Sequence, residues 1–183
     1  MANFTFLADK PEFSKFAKAC IGAEEAFQNS PNDCVKIVRT AVASAVRWLY
    51  DTDSRFVKVN NPKTNEKESL FALTTTPTFL KAVGKKLSGK IHFCRTQGNY
   101  ALHPEKFSKI FTNEESLKCL SYLFDFVQWI DKNYGKNYRP RSFDPEEVPV
   151  KDSDLKTFLK GAALVGVGFI GKMIFDVLTK DNN

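Results

Sequence analysis

The chain has 183 residues, 43% hydrophobic and 26% charged, a composition that excludes a disordered polymer and fits one ordinary globular domain, or one domain with a tail. At this length about 70% of the unfolded chain's surface can be buried, and 17 Phe, 5 Tyr and 2 Trp supply the apolar area for one core. The balance of 27 Lys and Arg against 21 Asp and Glu gives +6, with the excess concentrated between Arg55 and Arg95.

That basic segment has two readings, a solvated face or a contact for nucleic acid, the second resting on Lys81, Lys85, Lys86, Lys90 and Arg95. Cys20, Cys34, Cys94 and Cys119 are far apart with no C-x-x-C pair, which fits core thiols in a reducing compartment, the cytoplasm. Met1 to Lys10 carries neither a basic leader nor a long apolar run, so no secretory signal is expected.

The elements are predicted in chain order. Apolar residues from Phe13 to Phe27 recur at spacings of three and four, giving a helix from Pro11 to about Gln28 with Asp9 as its cap. Ser30 and Pro31 announce a second helix to about Tyr50, with Cys34, Val35, Val38, Ala41, Val42, Ala45, Val46 and Leu49 as its apolar stripe. Asp51 to Asn65 is polar and reads as a long surface loop. A short helix is expected from Glu66 to Leu73, then one opened by Thr76 and Pro77 and running to about Leu87. A turn at Gly89 precedes a further helix from Lys90 to Leu102, which Pro104 ends at His103. Thr112 and Glu115 form a capping box that opens a helix to about Tyr134. The fold class expected is all-α, a bundle of five to six helices.

A Gly, Asn and Pro-bearing stretch to Pro149 reads as a boundary, dividing residues 1–149 from 150–183. Residues 161–178 are nearly all apolar, interrupted by Lys172 and Asp176, and read as a separate C-terminal helix. Eighteen residues make about 27 Å of helix, barely the bilayer core, and only 11 precede the first charge, so docking is favoured over membrane contact. Gly161, Gly166, Gly168 and Gly171 would allow a partner backbone to come close.

The densest polar constellation is Arg95-Thr-Gln-Gly-Asn-Tyr-Ala-Leu-His103. On a continuous helix Arg95, Asn99 and His103 lie at i, i+4 and i+8 along one stripe, with Gly98 open to a neighbouring backbone. A guanidinium, an amide and an imidazole are the inventory for holding a phosphodiester, stabilising its charge and shuttling a proton, as RNA cleavage without a metal requires. The same three residues equally serve a structural role, Asn99 and His103 satisfying backbone groups and Arg95 pairing with a carboxylate. His92, three residues before Arg95, has no assigned role. The chain carries no P-loop, Rossmann fingerprint, H-E-x-x-H or G-x-S-x-G motif, and two His with four scattered Cys leave no metal site or cofactor expected.

Asn3-Phe-Thr-Phe-Leu7, Ala23-Glu24, Pro31 and Cys34 leading to Arg39-Thr-Ala, and Trp48-Leu-Tyr-Asp51 together resemble the N-terminal helical domain of type I restriction endonuclease R subunits. Gly98-Asn-Tyr-Ala-Leu-His103, preceded by Arg95, resembles that family's Gly-Asn-x-x-x-His signature, and Leu123-Phe-Asp-Phe-Val-Gln-Trp129 its closing helix. The resemblance runs from about Asn3 to Pro149. It implies an HEPN-like domain, a superfamily that includes RNases of defence and toxin systems and often dimerises. Two departures bear on activity: seven residues separate Arg95 from His103 where those RNases have roughly four to six, and Ala43 stands where the restriction family usually has Glu. The nuclease and helicase motor regions of an R subunit lie outside the matched residues, so restriction cleavage is not carried over. The function expected is a non-catalytic interaction module of a restriction or other antiphage system, binding a protein partner or nucleic acid or associating with itself. The alternative is a metal-independent RNase using Arg95, Asn99 and His103.

Overall fold

The computed structural model describes residues 2–165. Two 3-10 turns, Thr5–Asp9 and Pro11–Phe13, lead into α1 (Ser14–Ala26). The helix thus starts three residues later than its pattern predicts, and Asp9 does not cap it. Lys10, at φ −122° and ψ 83°, breaks the chain between the turns, and α1 opens without a side-chain cap. α2 (Pro31–Thr52) follows its prediction closely: Ser30 Oγ accepts from Asp33 N, Pro31 occupies the first turn, and the whole expected stripe is buried.

The short helix before the basic segment is α3 (Leu70–Thr74), capped by Ser69, rather than one starting at Glu66, because Asn65 and Glu68 hold positive φ and keep the chain in turns. α4 (Pro77–Leu102) begins at the predicted Thr76 cap, but its break is at Gly84 and not at the predicted Gly89. Gly84 takes φ 76° and ψ 163°, a conformation essentially closed to residues with a Cβ, whereas Gly89 lies in regular helix. A four-residue helix missed by the sequence pattern, α5 (Pro104–Phe107), follows and ends on Ser108 in the left-handed region. α6 (Asn113–Tyr134) carries the predicted capping box complete, with Glu115 N donating to Thr112 Oγ1 and Thr112 N to Glu115 Oε2. α7 (Ser153–Val165) closes the described chain.

Among the described residues there are seven α-helices and no strand, a helical bundle. α2 lies at its centre, packed on α1, α4 and α6. Phe4, Phe13, Phe16, Phe27, Phe79, Phe124 and Phe126 are fully buried, and all four cysteines are buried and free, as their apolar positions predicted.

Two polar clasps tie the N-terminal segment to α6 and to the chain that follows it. Asn3 donates from N and Nδ2 to the buried Glu24 carboxylate of α1, and it exchanges hydrogen bonds with the Asp144 backbone at 2.7 and 2.9 Å. The buried Lys10 ammonium pairs with the fully buried Asp131 near the end of α6 and donates to the Lys136 carbonyl at 2.8 Å. The stretch from 135 to 149 is held against the bundle: Arg141 N donates to Gln128 Oε1, Phe143 packs edge-on to Phe124, and Val148 is buried. α7 lies on the Pro145–Glu147 turn, burying Leu159 and leaving Leu164 exposed. Most of the predicted apolar helix at 161–178, with Lys172 and Asp176, lies outside the described residues. No described helix is long and apolar enough to cross a membrane.

Candidate functional site

The second part of α4, after the Gly84 break, carries Arg95, Gly98 and Asn99 along the side that meets α2. A Cβ built at Gly98 would come within 2.8 Å of Cγ and Cδ of Arg39, a contact real side chains do not make. The absence of a side chain at Gly98 therefore lets the Arg39 stem of α2 cross α4 at van der Waals distance. Having crossed, Arg39 donates its Nε–H to Asn99 Oδ1 at 2.7 Å. One turn back, the Arg95 guanidinium lies over the Phe71 ring of α3, 5.1 Å from its centre, and its Nη2 is 3.2 Å from His92 Nδ1. Arginine can only donate, so His92 accepts at Nδ1 and carries its proton on Nε2. The Arg95 Nε–H is buried and has no acceptor among the described residues.

Arg39 and Arg95 are both half-buried, and among the described residues neither makes an ion pair. Burial pulls both guanidinium pKa values down, as do like charges, Arg47 acting on Arg39 and Arg39 on Arg95. Both remain charged at neutral pH, since arginine starts so high. The carboxylate whose field opposes this at Arg39 is Glu66, on the exposed loop before α3. Ala43, one turn after Arg39 on α2, is buried and offers no charge. Burial and the Arg95 charge together push the His92 imidazole below its usual pKa, consistent with its acceptor role.

Of the three residues expected along one stripe, Arg95 and Asn99 share it and His103 departs. His103 is the C-cap of α4, at φ −123° and ψ 59°, because Pro104 bars it from helical geometry. Its backbone still donates to the Asn99 carbonyl at 3.1 Å, but its half-exposed ring pairs through Nδ1 with Glu105 Oε1 at 3.2 Å. Among the described residues no hydrogen bond joins the His103 ring to Arg95 or Asn99. Lys81, Lys85 and Lys86 are exposed on α4, whereas the Lys90 ammonium is engaged by Asp125 and the Tyr122 ring. Burial raises the thiol pKa of Cys20, Cys34 and Cys94. Among the described residues no group of three His, Cys, Asp or Glu is placed to hold a metal ion.

Sequence reasoning missed Arg39, His92 and Phe71 as members of this site. The signal for Arg39 was present, since Gly98 marked a close approach and Ala43 a lost carboxylate, but nothing in the chain order says that α2 is what approaches. Comparison with known protein families, with curated proteins and with solved structures finds no match.

Proposed function

We propose that this chain is a non-catalytic, HEPN-like interaction module of a restriction or other antiphage defence system, working in the cytoplasm, and that its partner is nucleic acid. The observation that carries this reading is the half-buried Arg39, Arg95 pair on α2 and α4, which has no carboxylate partner among the described residues. Two such half-buried charges cost free energy while unpaired, and an anion would balance them. Exposed Lys81, Lys85 and Lys86, together with the net charge of +6, supply attraction of longer range. The non-catalytic part rests on His103, whose ring is engaged with Glu105 rather than with Arg95 or Asn99. Four free thiols fit the reducing compartment, and the residue pattern from Asn3 to Pro149 supports the defence context.

The test is to incubate purified protein with labelled single-stranded and structured RNA and DNA in chelator, reading anisotropy and strand integrity across a salt series. Binding that weakens with salt while every strand stays intact is the expected result. Cleavage by the wild type that vanishes in a folded His103→Ala variant would make the protein a metal-independent RNase. Binding that no strand shows would move the search to a protein partner or a second copy, read by mass on dilution.

A further inference from the structure

Resting on the nucleic-acid reading, we propose that Arg39 and Arg95 form a seat for a phosphate monoester, the terminal phosphate of a strand rather than a phosphodiester within it.

Charge is the first ground. The pair presents two positive charges, and the carboxylate whose field opposes them at Arg39 is Glu66, on the exposed loop before α3. A monoester carries close to two negative charges at neutral pH and a diester carries one, so the monoester alone balances both guanidiniums. The donors are the second ground. Arg39 spends its Nε–H on Asn99, and its two terminal nitrogens remain as further donors. Arg95 spends Nη2 on His92 and keeps a buried Nε–H that has no acceptor among the described residues. A terminal phosphate offers three unesterified oxygens to these forks and a diester two.

Placement is the third ground. Both guanidiniums are half-buried where α2, α3 and α4 meet, with Phe71 covering one face of Arg95. A phosphate within a strand would have to bring both of its neighbouring nucleotides against these half-buried groups, whereas a terminal phosphate brings only one. The donors are also held before any ligand arrives, Arg39 by Asn99 and the Gly98 crossing, Arg95 by Phe71 and His92, so little side-chain entropy remains to be lost on binding. A strand end and a free monoester present the same chemistry.

The test compares one single-stranded 12-nucleotide RNA with a 5′-phosphate, with a 3′-phosphate, and with hydroxyls at both ends, by anisotropy. Wild type is set beside Arg39→Gln, Arg95→Gln and Lys81→Gln, each checked for an unchanged helical spectrum and melting curve. At least one phosphorylated strand should bind about ten-fold tighter than the hydroxyl strand, a difference of about 1.4 kcal/mol. Arg39→Gln and Arg95→Gln should erase that preference, while Lys81→Gln weakens all three strands alike and keeps it. Equal binding of the three strands by wild type would overturn the seat and leave the nucleic-acid reading standing. If no strand binds, that reading fails and inorganic phosphate decides the seat: a melting temperature raised by about 10 mM phosphate against chloride of equal ionic strength, and not raised in Arg39→Gln, would support a seat for a free monoester. No rise would overturn the seat.

Discussion

Arg39 on α2 donates its Nε–H to Asn99 Oδ1 on α4 at 2.7 Å, and this neutral amide, not a carboxylate, is what holds the guanidinium at the crossing of the two helices. An amide directs an arginine without cancelling its charge. Asn99→Asp would do both, because a charged acceptor in the same place makes a stronger bond and neutralises one guanidinium. The variant should unfold in urea with about 1 kcal/mol more stability than wild type and should lose any preference for a phosphorylated strand end. Unchanged stability would show that the field of the Arg39, Arg95 pair is already compensated.

The two glycines of α4 should respond in opposite directions. Gly84→Ala forces a Cβ into φ 76° and ψ 163°, at a cost of about 1–3 kcal/mol. Gly89→Ala, in regular helix with open space around the new methyl, should add about 0.5–1 kcal/mol. Melting temperatures of the two variants check the position of the break, and the reverse order would place it at Gly89.

Lys10 and Asp131 form a buried pair whose partners depend on each other. Asp131→Asn leaves the Lys10 ammonium buried without its counter-charge, for a loss of about 3–5 kcal/mol in urea unfolding. Adding Lys10→Met to it should recover most of that loss, since a neutral pair avoids the unbalanced charge. A double variant no better than Asp131→Asn would mean that the bond from Lys10 to the Lys136 carbonyl is the larger contribution.

Glu24 gives the N-terminal clasp a pH dependence. Burial raises its carboxyl above the ordinary 4.5, against the lowering effect of the bonds it accepts from Asn3 and Phe4, and the neighbouring Glu25 charge adds to the rise. A carboxyl with a raised folded value holds its proton more tightly folded than unfolded. Its contribution is therefore full below 4.5 and declines as pH rises through the raised value. Glu24→Gln, neutral throughout, should flatten this decline in unfolding free energies measured between about pH 4 and pH 7. It should also lower stability at the upper end of that range, because the amide keeps one oxygen for Asn3 and turns its NH2 toward the Phe4 N–H, which the carboxylate accepts.

Where the sequence reading matched the fold, it rested on signals complete within one turn of chain. Ser30 with Pro31, Thr76 with Pro77, and Thr112 with Glu115 each place a cap beside its helix, and all three helices start where those residues put them. The helix at Pro11 and the one at Glu66 lacked such a signal, and both begin three or four residues later than their patterns predict.

Residue order alone determined the helical class, the buried stripe of α2, the four core cysteines, and the common stripe of Arg95 and Asn99, because spacing along 3.6 residues per turn is set by local backbone geometry. Only the tertiary structure decided which glycine breaks α4, since Gly84 and Gly89 offer the same freedom and packing on either side selects one. It also decided that Arg39 crosses at Gly98, that His92 rather than His103 serves Arg95, and that both guanidiniums stand half-buried without a partnering carboxylate among the described residues. Those are relations between residues up to 60 positions apart, such as Arg39 and Asn99, and their energies depend on distance and burial in space, which no local pattern encodes.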